Sequence, residues 1–345
     1  MIRLSLFGLL ALGVGCEPEE PKAEEPVDLG PEAEPLELPE LTGIDLPAAY
    51  REALVTAMTI NLDSAWKANV SALELRHTGC PDVYVGAPPV EDNNFDMDDG
   101  VPGVSWYDFC STPGGLYYGG YNYWNGDVAA EGTVDSAEGR TLVGSREMLA
   151  SGVVGDDNSV MFEFDGEGSD SLTLTEATGY SRWVYSSLVN ATVTGTLIRE
   201  DGGGWRTGMY LNATGGDADT LEARGNVFFF VPQIQARFDS IAMDLTYAGA
   251  NGAGPDTCTL EPQGWIGLRD ADAFWYDLVF QPSEVEEGAS LDPKYSACDG
   301  CGTLYVRGIE TIEYGEVCVD FSGLWDDGPV TLPAPEDFIF TLRQL

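Results

Sequence analysis

The sequence is poor in residues on which many enzyme mechanisms depend. It contains a single histidine, His77, so any catalytic triad or imidazole base would have to use that side chain. The G-x-S-x-G pattern that carries the nucleophile of α/β-hydrolases does not occur in the chain. His77 also follows a predicted helix, where a cationic side chain stabilises the C-terminus. The sequence therefore supports a non-catalytic protein better than an enzyme.

Basic residues are scarce as well. Lys and Arg together number 16 against 58 Asp and Glu, and the formal net charge of the 345-residue chain is −42. This charge repels the phosphates of nucleic acids, which excludes them as partners, and it repels anionic lipid surfaces. Three origins fit such acidity: solubility in a saline medium, which we favour, calcium binding, or solubility alone.

No apolar run is long enough to cross a bilayer, which requires about 20 residues. The N-terminal run covers residues 4–14, follows Arg3, and ends in Gly13 and Gly15 immediately before Cys16. Its length and flanks are typical of a secretory signal peptide, here residues 1–15. The sequence therefore predicts an exported protein.

The end of this segment resembles the lipobox of bacterial lipoproteins in Val14, Gly15 and Cys16. It departs from that pattern at Gly13, where leucine is usual. The resemblance implies that Cys16 becomes the first mature residue, carries acyl chains such as palmitate, and holds the protein on a cell-envelope membrane. Glu17 rather than Asp follows, which by similarity to enterobacterial sorting favours the outer membrane. The alternative is ordinary cleavage with an unmodified Cys16.

Residues 17–40 contain ten acids, one lysine and six prolines. Such a segment cannot bury enough apolar surface to fold, and its prolines favour an extended path. The sequence therefore predicts three parts: a signal peptide, a lipidated cysteine with an acidic stalk over 16–40, and an ectodomain over 41–345.

Six cysteines remain once Cys16 is assigned to lipid. An even number in an exported chain favours structural disulfides. Cys298 and Cys301 form a C-x-x-C motif, but a strand-like segment follows it, whereas a thioredoxin-type site requires a helix. Zinc is the other alternative. The predicted disulfide residues are Cys80, Cys110, Cys258, Cys298, Cys301 and Cys318, with the last four paired among themselves.

One helix is predicted over residues 47–75. Apolar residues recur there every four positions, which forms one apolar stripe. Asp45 is a plausible N-cap, and Pro47 suits the first turn. The stripe residues are Tyr50, Leu54, Met58, Leu62, Trp66 and Val70.

Short alternating runs broken by Gly, Asp and Asn dominate the rest of the chain, which is typical of antiparallel sheets. We expect a mainly β ectodomain, either an antiparallel sandwich or a curled, partly open barrel, with the N-terminal α-helix packed on the sheet. The predicted strands are 159–164, 171–176, 190–198, 208–214, 225–233, 241–247, 274–280 and 303–308.

A candidate calcium site lies in residues 91–100. Asp92, Asn94, Asp96 and Asp98 alternate there, and short oxygen-bearing side chains in a loop can converge on Ca²⁺. The spacing departs from an EF-hand, so any site would be irregular. A solvated acidic turn is the alternative.

Aromatic clusters such as FWYDLVF, residues 274–280, place rings beside carboxylates. Exposed rings of this kind can stack on sugars, although aromatics in strands also fill cores. These features favour a membrane-anchored, non-catalytic binding or structural ectodomain with a glycan or protein ligand. The alternatives are a secreted glycan-active hydrolase and a lipid or envelope-assembly carrier.

Overall fold

In the described part of the chain, alternating sequence builds thirteen strands in a single antiparallel sheet. Each strand pairs with its neighbours in chain order, from β1 to β13. Among the described residues the first and last strands are not paired with each other, so the sheet is open. The strands are β1 Asp82–Val85, β2 Pro102–Trp106, β3 Tyr117–Ala129, β4 Arg140–Val154, β5 Val160–Ala177, β6 Tyr180–Thr194, β7 Gly204–Gly216, β8 Thr220–Phe229, β9 Phe238–Ala248, β10 Gln263–Asp270, β11 Trp275–Gln281, β12 Cys301–Arg307 and β13 Thr311–Cys318.

The computed structural model describes parts of one compact unit, Glu40–Leu345. The described residues are 41, 43–60, 64–65, 67–68, 71–72, 75, 80, 82–85, 102–106, 111, 115–129, 140–177, 180–200, 202–216, 219–255, 257–281 and 297–322. Among them, no helix is both long and apolar enough to span a membrane.

Burial alternates along the strands, so the sheet has an inner and an outer face. On β11 Tyr276, Leu278 and Phe280 are at most 1% exposed, whereas the residues between them are partly exposed. Phe162 and Phe164 on β5 belong to the same core. Period-two alternation places one face of each strand from β5 to β12 in this core. The prediction of a mainly antiparallel β fold with one helix on the sheet is confirmed.

The strand boundaries differ from the sequence prediction at β5. Two strands were expected, over 159–164 and 171–176, but one strand of 18 residues runs through both. The intervening Gly166 and Gly168 pair in register with Ala191 and Val189 of β6. Their composition is typical of a turn, yet ladder pairing with β6 keeps the segment extended.

The helix α1, Leu46–Thr59, begins as predicted. The Asp45 carboxylate accepts a hydrogen bond from the Ala48 amide at 3.2 Å, and a proline occupies the first turn. This cap satisfies an amide that has no partner within the helix.

The predicted single helix over 47–75 is wrong in its extent. Ile60 is the C-cap, with a non-helical ψ of 77°. The described residues from 64 to 72 are helical again. The Ser64 hydroxyl donates to the Thr59 carbonyl at 3.2 Å. Thr, Asn, Asp and Ser over residues 59–64 are weak helix formers because their side chains hydrogen-bond the local backbone.

The helix packs on the inner face through the first half of its apolar stripe. Tyr50, Leu54 and Met58 are at most 1% exposed. The Tyr50 hydroxyl donates to the Tyr276 carbonyl on β11 at 2.9 Å, and burial raises the pKa of Tyr50 well above its ordinary value. The Arg51 guanidinium donates to the Asp320 carbonyl at 2.7 Å, which joins the helix to the chain beyond β13. Leu62, Trp66 and Val70 lie outside the described residues.

Two disulfide bonds join the four C-terminal cysteines, as predicted. Cys258 is bonded to Cys298, and Cys301 is bonded to Cys318. The second bond links residues that face each other in the β12–β13 ladder. Cys80 is also disulfide-bonded, and its partner lies outside the described residues. The disulfide-bonded character of the ectodomain is therefore confirmed.

Candidate binding surface

The outer face of the sheet carries a row of small or amide side chains that crosses five strands. Strand register aligns them directly, from β6 through β10. We call this row the floor, and it consists of Asn190, Gly208, Asn226, Ala242 and Gly267. Adjacent strands are about 4.8 Å apart, so the floor extends about 19 Å across the sheet.

Rows of mostly larger side chains border the floor on both sides. One border contains Leu188, Tyr210, Arg224, Asp244 and Trp265, which are aligned by the same ladders. The other border contains Thr192, Arg206, Phe228, Ser240 and Arg269. Side chains on one sheet face stand side by side, so we infer a shallow channel where Gly208 and Gly267 lie between larger neighbours. We call it the outer groove.

Gly267 allows two indole rings to lie at one end of the outer groove. A Cβ atom on Gly267 would lie 3.3 Å from the Trp265 ring, 3.3 Å from the Trp275 ring and 2.5 Å from Asp277 Oδ1. These contacts are too close for an alanine without movement of its neighbours. Both tryptophans are partly exposed. The glycine is therefore required by the packing of this aromatic end.

Arginine and carboxylate side chains hold the aromatic end in place. Arg307 Nε donates to Asp277 Oδ2 at 2.8 Å, and its guanidinium lies 5.2 Å from the centre of the Trp275 ring. Planar guanidinium groups favour both contacts, with a carboxylate at the edge and an aromatic ring at the face. The arrangement fixes the Trp275 ring before any ligand arrives.

The same arrangement recurs on the neighbouring strands. Arg269 donates to Asp239 at 3.2 Å and lies 5.6 Å from the centre of the Phe228 ring. Phe228 in turn contacts Phe230 edge to face, with ring centres 5.9 Å apart. The outer groove therefore combines partly exposed aromatic rings with amides, carboxylates and guanidinium groups that can form hydrogen bonds. All of them stand on paired strands.

Two cysteines and one acidic residue lie close together in the described part of the chain, but they do not support a metal site. Ligand atoms of Cys301, Glu316 and Cys318 lie within 4.8 Å of one another. Both sulfur atoms are joined in a disulfide bond, so neither is available as a thiolate ligand. The zinc and thioredoxin interpretations of the C-x-x-C motif are wrong, because Cys298 and Cys301 pair with other cysteines.

Several residues singled out by the sequence lie outside the described part of the chain. These are Cys16, His77, Cys110 and the candidate calcium ligands Asp92, Asn94, Asp96 and Asp98. Lipidation and calcium binding therefore remain predictions.

Sequence reasoning noticed Trp275 and Asp277 but missed Gly267, Trp265 and Arg307. Alternation in the FWYDLVF run correctly indicates that Trp275 and Asp277 share a face. The other residues reach the same place through strand pairing. No protein-family model, curated protein or solved structure matches the chain.

Proposed function

We propose that this chain is a bacterial cell-envelope lipoprotein, anchored through Cys16, whose ectodomain binds a neutral linear glycan in the outer groove without converting it. The acidic stalk over 16–40 separates the ectodomain from the membrane, which we propose is the outer membrane. Calcium at Asp92, Asn94, Asp96 and Asp98 is proposed as an accessory ligand. Disulfide bonds, which persist in oxidising compartments, support an extracytoplasmic location.

The observation that carries the binding proposal is the position of partly exposed rings beside the floor. Trp265 and Tyr210 lie on one border, Phe228 lies on the other, and Trp275 follows Arg269 in register. Sugar rings stack their C–H faces on aromatic rings, while their hydroxyls hydrogen-bond planar polar groups. The floor amides and Asp277 can supply those polar groups.

The charge of the protein favours a neutral ligand. A net charge of −42 repels anionic polysaccharides over long range. A neutral chain avoids this repulsion and still offers hydroxyl groups to the groove.

The carboxylates of the outer groove favour binding over hydrolysis. Glycoside hydrolysis requires two carboxyl groups about 5–9.5 Å apart on opposite sides of the scissile bond, one of them able to donate a proton. Here Asp277 is paired with Arg307, Asp239 with Arg269, and Asp244 with Arg224. Each of these carboxylates is thus already engaged by a guanidinium group and positions that side chain.

Calorimetric titration with chitopentaose and cellopentaose tests the proposal. We expect at least one to bind the wild type, and Trp265→Ala to weaken binding about tenfold or more, as for a central aromatic contact. Tyr314→Ala is the matched control, since Tyr314 is 50% exposed on β13, away from the groove.

Three outcomes would contradict the proposal. One is equal binding by the Trp265 and Tyr314 variants. Another is the absence of binding to any neutral glycan in a panel that includes both pentaoses. Release of new reducing ends by the wild type would instead support the hydrolase alternative.

A further inference from the structure

A second concave site lies between the helical segment and the sheet. Its cavity has a volume of about 450 Å³. The walls come from the helical residues between 56 and 71, the β6–β7 connection, the first residues of β7 and the end of β8. Small-molecule sites commonly have volumes of about 300–1,000 Å³ and form between packed elements. This cavity is therefore large enough for a small amphiphile.

One wall of the cavity is apolar. Trp205 is 8% exposed, Phe229 3% and Ala68 4%, and all three line it. Leu197 and Ile198, which pack against the core, complete this surface. An alkyl chain placed here would gain about 25 cal/mol for each Å² of apolar surface removed from water.

The charged residues in the rest of the described lining are opposite in sign to the net charge of the molecule. This lining includes two cations, Lys67 and Arg199, and no Asp or Glu. The chain as a whole has 58 acids and 16 cations, so two cations without a carboxylate in the described lining depart from its general composition. Both cations interact with other groups as well, but an arginine carries five N–H donors and a lysine three. An anionic head group can therefore add to their existing contacts.

Exposed apolar residues lie between two lining residues in the chain. Phe230 is 42% exposed and Val231 is 46% exposed, directly after the lining residue Phe229 and before the lining residue Gln233. Large exposed apolar residues grouped in this way mark sites of contact with apolar ligands.

We propose that this cavity binds a single-chain anionic amphiphile, with its alkyl chain on Trp205 and Phe229 and its head group at Lys67 and Arg199. The proposal is independent of glycan binding in the outer groove, because no residue that lines the cavity belongs to the floor or to its borders. It assigns the ectodomain a second ligand class, chemically a carboxylate or phosphate joined to one alkyl chain.

The test is calorimetric titration of the chain from residue 16 onward, carrying Cys16→Ser so that it bears no acyl chain of its own. The probes are decanoate, decyl phosphate, decanol and decyltrimethylammonium, each below its micelle concentration. We expect decanoate or decyl phosphate to bind at least tenfold more tightly than decanol and the cation. The ranking of the two anions distinguishes a fatty-acid source from a phospholipid source.

Variants separate the contribution of the two cations to binding from that of the apolar wall of the cavity. Lys67→Gln with Arg199→Gln should weaken anion binding about tenfold and leave decanol binding unchanged, as expected for loss of charge-assisted hydrogen bonds. Ile198→Trp should weaken every probe by filling the cavity. Arg182→Gln, which neutralises an exposed arginine on β6 outside the cavity, should change nothing.

A salt series keeps the proposal testable if the double variant fails to fold. Raising salt from about 0.1 M to about 1 M shortens the screening length from about 10 Å to about 3 Å, and should weaken anion binding but not decanol binding in the wild type. Equal affinity for decanoate and decanol would overturn the proposal. So would an absence of binding by either anion, or anion binding that resists both the double variant and salt.

Discussion

Glu261 is the most unusual single residue in the described structure. It is 2% exposed, and its Oε2 atom accepts a hydrogen bond from the Gly300 amide at 3.1 Å. Gly300 lies between Cys298 and Cys301, which belong to two different disulfide bonds. Its Oε1 atom is buried without a hydrogen-bond partner among the described residues. Burial raises the pKa of Glu261 above its ordinary value, because the ionised form loses hydration.

Glu261→Gln should reduce the loss of stability between acidic and neutral pH. Since the folded pKa exceeds the unfolded value of about 4.3, the native state binds the proton more tightly. Stability from this group is therefore full below the unfolded pKa and declines as pH rises through the folded pKa. Urea unfolding at about pH 4 and pH 7 measures the effect. Glu316→Gln, an exposed control, should keep the wild-type pH dependence, and an unchanged dependence in Glu261→Gln would contradict the account.

Gly267→Ala should destabilise the fold by about 1–3 kcal/mol, because the added methyl group would displace two indole rings and a carboxylate. Gly208→Ala is a control in the same floor row, where a Cβ would meet only Asn190 Oδ1, at 3.9 Å. Denaturant unfolding of both variants compares them directly. Equal losses would show that the rings do not require the glycine.

At the scale of elements, β13 depends on its disulfide bond more than on burial. Nearly all of its residues are exposed, including Tyr314 at 50% and Ile312 at 39%. Cys301–Cys318 joins one end of this edge strand to β12. Replacing both cysteines by alanine should cost about 3 kcal/mol, as expected for a loop of 17 residues.

Hydrogen exchange locates that effect. Residues 311–318 should lose protection in the double alanine variant while β9 and β10 keep theirs, because local openings follow local contacts. Uniform loss of protection across the sheet would mean that the bond supports the whole fold instead of its edge.

The sequence predicts a calcium site in the acidic segment 91–100. Calcium that binds only the folded chain raises its melting temperature by mass action, and extracellular sites have dissociation constants on the order of 10⁻⁴ to 10⁻³ M. Melting curves with excess calcium and with chelator, at matched ionic strength, measure this. Coincident curves would contradict the predicted site. So would a double variant, Asp96→Ala with Asp98→Ala, whose melting temperature rises with calcium as much as that of the wild type.

Local patterns predicted the elements better than their extents. The Asp45 cap and the buried residues Tyr50, Leu54 and Met58 follow from side-chain spacing within one helix. The end of α1 at Thr59 does not, because a continuous apolar stripe conceals a break caused by weak helix formers. The uninterrupted β5 was missed because pairing with β6 overrides glycines that favour a turn.

The outer groove lay beyond sequence reasoning for a different physical reason. Trp265, Gly267 and Trp275 meet because β10 and β11 pair in one register, and a shift of one residue would move each ring to the other face. Asp277 and Arg307 are thirty positions apart in the chain. Register is a long-range property, so a single sequence shows the residue types but not their meeting place.

At the scale of the whole molecule, charge and anchoring act together. A strongly acidic ectodomain is repelled by anionic lipid surfaces, so the surface of the protein does not hold it at such a membrane. Three acyl chains on Cys16 would hold it firmly, since each buried CH₂ contributes about 0.8 kcal/mol and one chain alone is marginal. The proposed function therefore depends on this anchor.

The most direct test of that claim is metabolic labelling with radioactive palmitate, followed by phase separation in a nonionic detergent. The account predicts label on the wild-type chain in the detergent phase and no label on Cys16→Ser, which loses membrane retention and is incompletely processed. A wild-type chain that is unlabelled and partitions into the aqueous phase would contradict the account, as would equal labelling of Cys16→Ser.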